Sequence, residues 1–510
     1  MEAHDAAVAV IAANVRKFCD HQQPFRIYHG STNSTRQSRY QQNNIIDTSK
    51  LTNILLVDKE QKTALVEPNV PMDRFIEGTL LNGLVPLVVM EFPGITVGGG
   101  FSGTSGESSS FRYGFFDRTI NWIEIVLPTG EKVTASRTEK ADLFQGAAAS
   151  LGTLGVVTLL EVQLMEAKKY VELTYHYTSN MSHAMKLMED ATDDTSNDYL
   201  DGIVLARDRI AVCSGRLTNS LPDGARVQRF TRAQDPWFYI HAERRTAHVT
   251  EPIVDFIPLG DYLFRYDRGG FWVGKYAFKY FITPFNRVSR YFLDRFMHTR
   301  VMYHALHQSG HSKRYIIQDV AVPYQTTDEF LQWLHDNFSF YPLWLCPLRQ
   351  RGQHVESAHG LLADKADLNA PEYLMNFGVW GPGSTNRREF VQQNRKLEQK
   401  VQSLQGKKWL YAHTYYTEDE FWTIYKRKDY DALRVKYHAT YLANLYDKVK
   451  VDVDAEEKAI QSSLTAWLLA LFWTIWPLSG LYGVYKAWMG GDYLMQKERP
   501  RLIGAVKKKE

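Results

Sequence analysis

Apolar residues at Val8, Ile11, Ala12, Val15 and Phe18 recur at helical spacing and predict a helix over residues 1–20. The period then changes. "FRIYHG" predicts a short strand that breaks into the polar turn "STNSTR", and "NNIIDTSKLTNILLVDKEQKTALVEPNV" alternates strands with turns. "PMDRFIEGTLLNGL" predicts a helix with Phe75, Leu80 and Leu81 inward, ended at Gly83. "TINWIEIVLPTGEKVTAS" predicts a hairpin about Pro128-Thr129-Gly130. "KADLFQGAAASLGTLGVVTLLEVQLMEA" predicts a small-residue helix, a glycine turn and an apolar strand. Further on, "YVELTYHY" and "RYIIQDVAVPY" predict strands, and "TTDEFLQWLHDNF" a helix from Thr326 or Thr327 with Glu329 closing its cap. From Arg387 the pattern is helical, and "TEDEFWTIYKRKDYDALRVKYHATY" opens with Thr417 and Glu420 at capping-box spacing.

These elements predict an α+β protein of several parts: an N-terminal helix over 1–19, an α+β unit with mixed strands over 20–166, a second α+β unit over 167–384, a helical part over 385–450 and a tail over 451–510. The composition allows a large core, with 44% hydrophobic and 23% charged residues. A formal net charge of +3 gives no electrostatic footprint for nucleic acid. Cys19, Cys213 and Cys346 are far apart and odd in number, which argues against a disulfide framework or a structural zinc site. His304, His307 and His311 lack a supporting carboxylate pattern and read as a helix end, so no metal is expected. The N-terminal stretch has early acids and no long apolar core, so no signal peptide is read there.

Leu464 to Tyr485 carries no charged residue over 22 positions, enough to span a bilayer as a helix. Pro477, Ser479 and Gly480 interrupt it, so a re-entrant or one-leaflet segment and a buried hairpin are also open. Aromatics from Trp467 to Tyr485 suit a headgroup layer, and Lys507 and Lys508 resemble a dilysine address for retrieval to the endoplasmic reticulum.

The densest chemistry lies in "FPGITVGGGFSGTSGESSSFRYG", Phe92 to Gly114. Gly98, Gly100 and Gly103 satisfy GxGxxG, with Glu124 about twenty residues on. No amphipathic helix begins at Gly103 and Glu124 sits in an apolar strand, so a Rossmann site is not expected. A run of small residues still lets backbone N–H groups face an anion, or lets a flat ligand approach where no Cβ intervenes. Two more small-residue turns, "HGSTNSTR" and "SLGTLGVVT", fall within the same 140 residues or so.

In order and spacing, the three turns resemble the FAD-binding fold of the vanillyl-alcohol-oxidase type, the PCMH-type domain. "TVGGGFSGTSGESSSFRYGFF", "DLFQGAAASLGTLGVV", "AKKYVEL", "DPWFYIH", "IPLGDYLFRYDRGGFW", "IIQDVAVP", "FYPLWLCPL" and "DEFWTIY" resemble the Δ24-sterol reductases of the diminuto/seladin type, over roughly residues 20 to 450. The resemblance implies a two-subdomain PCMH-type FAD-binding domain over 20–166, a substrate (cap) domain over 167–384, and a membrane-associated C-terminal segment. It implies FAD as cofactor, NADPH as reductant and the Δ24 double bond of a sterol or triterpenoid side chain as substrate. It places the enzyme at the endoplasmic reticulum membrane, with the catalytic domain facing the cytosol. Animal and plant members carry their membrane segment near the N-terminus, whereas here the apolar stretch is Leu464 to Tyr485, best read as a hairpin or one-leaflet segment. With the small-residue logic, the resemblance assigns FAD to Gly30, Ser31, Asn33 and Ser34, to Thr96, Val97, Gly98, Gly99, Gly103 and Thr104, and to Gly152, Gly155 and Val157. His29 precedes the first turn instead of following it, so FAD is expected to be non-covalent.

An isolated trisubstituted alkene is not electrophilic, so its reduction needs a positioned acid, a dry apolar pocket and a hydride donor, here flavin N5. Asp319, a carboxylate in the apolar strand "IIQDVAVP", is the first candidate acid; a glutamate holds a similar position in related lactone oxidases. Tyr341 and Glu107 are further candidates. Two competing readings are an FAD oxidase that uses oxygen and a flavin-free membrane-tethered binding protein.

Overall fold

Helix α1, Glu2–Asp20, lays Val8, Ile11 and Val15 into the core. A computed structural model of the chain describes residues 1–30, 35–36, 42–247, 251–338, 340–350, 370–461, 464, 468, 471–473 and 475–490. His4, in the first turn of α1, clamps the helix to the sheet beneath it. Its Nδ1 lies 2.8 Å from Glu67 and its Nε2 3.1 Å from Glu124. Glu124 also accepts from Thr158 and pairs with Lys132, so it is spent on packing an element rather than on a ribose.

Strand β1, Arg26–Tyr28, pairs in parallel with β2, Ile45–Asp47. Then follow β3 (Ile54–Asp58), β4 (Thr63–Val66), helix α2 (Met72–Leu80), β5 (Leu84–Pro86), helix α3 (Val97–Gly103), β6 (Ile120–Val126), β7 (Lys132–Ser136), helix α4 (Ala141–Ala147) and β8 (Val156–Glu166). The sheet order is β3-β4-β8-β6-β7, with β5 also on β8 and every pairing antiparallel. The predicted hairpin is β6–β7.

The second unit contributes β9 (Tyr170–Thr178), helix α5 (Met181–Asp193), β10 (Tyr199–Ala206), β11 (Arg209–Thr218), β12 (Ile253–Pro258), helix α6 (Thr299–Gln308), β13 (Tyr315–Pro323), helix α7 (Thr327–Asn337), β14 (Leu343–Arg349) and β15 (Tyr373–Pro382). Helix α8 (Arg387–Ser403) leads to β16 (Lys407–Lys408), so the helical C-terminal part returns a strand to this sheet. The order β12-β9-β11-β10-β14-β15-β13-β16 is antiparallel throughout. One face packs under α5, α7 and α8 through Met188, Phe330, Leu334 and Leu397. The opposite face, with Ala211, Cys213, Trp344 and Trp380, shares a continuous core with the first unit. Alternation along the strands sends successive side chains to these two faces, and the face toward the first unit holds the site. Two more helices, α9 (Glu418–Ile424) and α10 (Arg427–Lys436), follow in the C-terminal part, and a short helical turn, Leu445–Val449, carries Lys448. Thr417 and Glu420 form the expected capping box.

Three expectations change. The glycine run is a helix, α3, because Thr96 caps it and carbonyls of the preceding segment hold its first amides. Glu329 does not close a cap on α7; its carboxylate takes the Lys400 ammonium instead. Leu80 and Leu81 face solvent at the end of α2, 36% and 73% exposed, rather than inward. Among the described residues no helix is long and apolar enough to cross a membrane. The end of the apolar stretch forms helix α11, Leu478–Gly490, which packs on α6: a Cβ at Gly483 would stand 2.5 Å from the Ala305 carbonyl oxygen.

Candidate active site

The two units enclose a cavity of about 780 Å³. Helix α3 forms part of its wall. Val97 N–H donates to Val70 O at 3.0 Å, Gly98 N–H to Pro68 O at 2.7 Å, and Gly99 N–H to Thr96 Oγ1 at 3.1 Å. With those amides engaged, the helix offers the cavity bare glycine Cα surface rather than an anion-binding turn. Gly98 is required by its own packing, since a Cβ there would lie 2.7 Å from Pro68 Cβ; Gly103 meets nothing closer than 3.4 Å.

Of the residues assigned from the sequence, Thr96, Gly98, Gly99, Gly103, Gly152, Gly155 and Val157 line this cavity. Gly152 and Gly155 have φ of +79° and +149°, in the region that favours glycine. Val97 lies in the hydrophobic core behind the wall. Thr104 is buried in a left-handed conformation and its carbonyl accepts from Trp409 Nε1 at 2.8 Å. Gly30 turns with φ +74° but is not part of the lining. Ser31, Asn33 and Ser34 lie outside the described residues.

The cavity has three chemically distinct regions. Arg26, Arg36 and Lys448 give it a cationic end, and burial, then Lys448, hold His29 there below the usual histidine range. Arg36 is fixed by donating to the carbonyls of Tyr411, at 3.1 Å, and Lys448, at 2.7 Å; Lys448 Nζ donates to the Leu151 carbonyl. Burial first, then Arg36 and Arg26, lower the Lys448 ammonium to about 7. A second region is apolar, walled by Phe92, Phe271, Phe296, Trp344 and Trp380. Phe271 stands at φ +60° directly after two positive-φ glycines, Gly269 and Gly270, and stacks on Tyr266 at 3.9 Å between centroids.

The third region is acidic. Strand β13 places Asp319 in the lining, 5% exposed. Its carboxylate accepts from Asn376 Nδ2 at 3.4 Å and Trp380 Nε1 at 3.3 Å, and from Tyr411. No arginine pairs with it among the described residues. Burial raises it to about 6, against the pull of those donors and of Lys408. Glu107 lines the same cavity, and burial, then Glu91, hold it well above the usual carboxylate range. Behind Glu107 one guanidinium, Arg265, serves two carboxylates: its Nη2 is 3.0 Å from Glu91 and 2.9 Å from Asp201. Three buried acids share that one cation, which favours the neutral form of Glu107. Tyr341 stands apart: its hydroxyl pairs with His335 and it does not line the cavity. Of the three histidines read as a helix end, His311 faces α11, with Nε2 3.2 Å from Ser479 Oγ. No cluster that could hold a metal ion occurs among the described residues.

Comparison with known proteins adds an independent line. A family model described as an FAD binding domain matches residues 6–136. The Delta(24)-sterol reductase of Homo sapiens is 27% identical over 431 residues, covering 82% of this chain and 80% of the relative. That of Arabidopsis thaliana is 29% identical over 435 residues, covering 79% and 76%. Over about four-fifths of its length the chain is thus similar to Delta(24)-sterol reductases. A shorter match, 27% over 164 residues, joins it to cytokinin dehydrogenase 7 of Oryza sativa subsp. japonica.

The cavity fits the FAD that the family model implies. FAD carries a dianionic pyrophosphate and a flat ring system, and its site must supply charge and close approach. The cationic end answers the first need: Lys448 is depressed by burial and then by two neighbouring cations, and a bound anion offsets both. The bare faces of Gly99 and Gly103 answer the second. Relative to the reductase motifs, the sequence pointed to Asp319, Glu107 and the glycines. It did not point to Tyr411 or Lys448, which reach the site from distant segments that have no unusual composition; Arg36 and Arg265 lie within "HGSTNSTR" and "IPLGDYLFRYDRGGFW", where nothing local marks those two side chains.

Proposed function

We propose that the protein is an FAD-containing, NADPH-dependent reductase of the Δ24 double bond of a sterol or triterpenoid side chain. The observation that carries this reading is one cavity holding a small-residue wall, an aromatic apolar region and three buried acids with raised pKa, Asp319, Glu107 and Glu91. FAD, held by the α3 wall, Gly152, Gly155, Val157 and the cationic end, supplies the hydride when bound and reduced by NADPH.

The protein's own residues supply the rest. Phe271, Trp344 and Trp380 exclude water and orient the side chain of the substrate. Asp319 gives its proton to the less substituted alkene carbon, and the positive charge falls on the tertiary carbon. Tyr411, Asn376 and Trp380 hold the carboxyl in place and stabilise the carboxylate left behind. Glu107, kept neutral beside Glu91, is the second proton source lining the cavity. Tyr341 is given no part in this step, because its hydroxyl pairs with His335 and it does not line the cavity.

FAD is proposed to be non-covalent. His29 lines the cavity, so acid precipitation is a direct check: flavin left on the polypeptide contradicts that part. The location proposed is the endoplasmic reticulum membrane with the catalytic units on the cytosolic side, supported by the apolar stretch and by Lys507 and Lys508. The deciding variant is Asp319→Asn. It is expected to bind flavin and to accept electrons from NADPH, while sterol turnover falls about 100-fold or more. Turnover near wild type removes Asp319 as the acid.

A further inference from the structure

Two segments far apart in sequence meet beside the cavity. Trp476 Nε1 donates to the Tyr280 carbonyl at 2.7 Å, and a Cβ on Gly480 would lie 2.3 Å from Tyr280 and 3.0 Å from Phe281. Around that junction the surface is apolar. Ile282 is 76% exposed, Phe292 75%, Val288 65%, Trp488 53% and Leu481 51%. Scattered exposed apolar residues need no explanation, but exposed apolar side chains gathered on the two segments that meet here mark a binding face.

Charge indicates what the face meets. Residues 275–293 contain no acid and four basic side chains, of which Lys279 and Arg287 are exposed, Lys275 is half-buried and Arg290 is buried. Residues 464–490 contain Lys486 as their only charged side chain. The nearest acid, Asp294, is taken up by Arg268 and His298. Exposed aromatics and aliphatics with cations among them match the boundary between acyl chains and anionic headgroups. Leu481 also lines the cavity, as do Phe281, Leu293 and Val484, so the rim of the cavity lies within the face.

We propose that this face docks into one leaflet of a bilayer containing anionic lipid, and that the cavity opens there into the acyl region. The segment 282–292 is then as much a part of the docking surface as α11. Entry of substrate from the leaflet rests on the sterol reading above, whereas docking does not.

The test is flotation of the purified full-length holoprotein with vesicles of phosphatidylcholine, with and without phosphatidylserine. Wild type is expected to float, more strongly when phosphatidylserine is present. The double variant Ile282→Glu/Phe292→Glu is expected to bind about tenfold or more weakly. Arg287→Glu is expected to lose only the gain from phosphatidylserine, and Leu81→Glu, exposed elsewhere on α2's end, to float as wild type. Flavin content and unfolding temperature show that each variant is folded; if the double glutamate variant is not, Val288→Ser/Phe292→Ser replaces it with the same expectation. Turnover of detergent-dispersed sterol should stay within about twofold in the double variant, because none of its positions lines the cavity. Flotation of the double variant like wild type overturns the inference, as does wild type that fails to float. So does a dimer that Phe292→Glu splits in the absence of lipid, which assigns the face to a second copy. Loss of sterol turnover in every form with the flotation pattern intact leaves docking standing and refutes the sterol reading alone.

Discussion

Asp319 is surrounded by donors that favour its ionised form, yet burial prevails and holds it near 6. A general acid must be protonated to act, so turnover by free enzyme should fall as pH rises through about 6, and a sterol that fills the cavity should shift that limb upward by excluding water. A profile of kcat/KM against pH reads this directly. In Asp319→Asn the limb should be absent along with most of the turnover. Lys448 shows the opposite case, a cation lowered to about 7 by burial, Arg36 and Arg26. An anion beside it restores its charge. Lys448→Ala should therefore weaken FAD binding about tenfold or more in a fluorescence titration, with the fold retained. Asp319 was legible in the sequence because a lone carboxylate in an apolar strand is conspicuous. Lys448 was not, because a lysine among polar residues near the C-terminus carries no local sign that the chain returns it to a glycine turn at residue 152.

At the scale of elements, the docking of α1 depends on one imidazole. Burial alone would lower His4, but its hydrogen bonds to Glu124 and Glu67 outweigh burial and raise it to about 9. A group with a folded pKa above its unfolded value stabilises fully below the unfolded value and loses that stabilisation as pH rises through the folded one. The His4 contribution should therefore be complete below about 6.5 and vanish through about 9. The difference in Tm between wild type and His4→Gln should narrow over that window; a difference that stays constant with pH contradicts the clamp. Sequence periodicity found α1, β6–β7, β9 and β13, because each carries enough side chain on one face to show its period. It missed α3 for the same reason: glycine has no side chain to be periodic. That helix is set by the Thr96 cap and by carbonyls of Pro68 and Val70, which are tertiary contacts.

At the scale of the whole molecule, two antiparallel sheets share one core, and the cavity lies along their seam. The first unit contributes the glycine wall, the second the aromatic wall and Asp319, and the C-terminal part Tyr411 and Lys448. Motif reading divided the chain into a cofactor unit and a substrate unit, but the last of these contributions cannot be seen until the chain is folded. Helix α11 closes the set at the cavity rim, where the sequence offered only an apolar run with three open readings. The central claim is that this seam passes hydride and a proton to an unactivated side-chain alkene. It is tested most directly by mixing anaerobic, NADPH-reduced holoprotein with a Δ24 sterol in a stopped-flow spectrometer. The flavin band is expected to return in step with saturated product, with solvent deuterium incorporated at the less substituted alkene carbon in D2O. Flavin that stays reduced until oxygen is admitted, or protein that carries no flavin, contradicts the account.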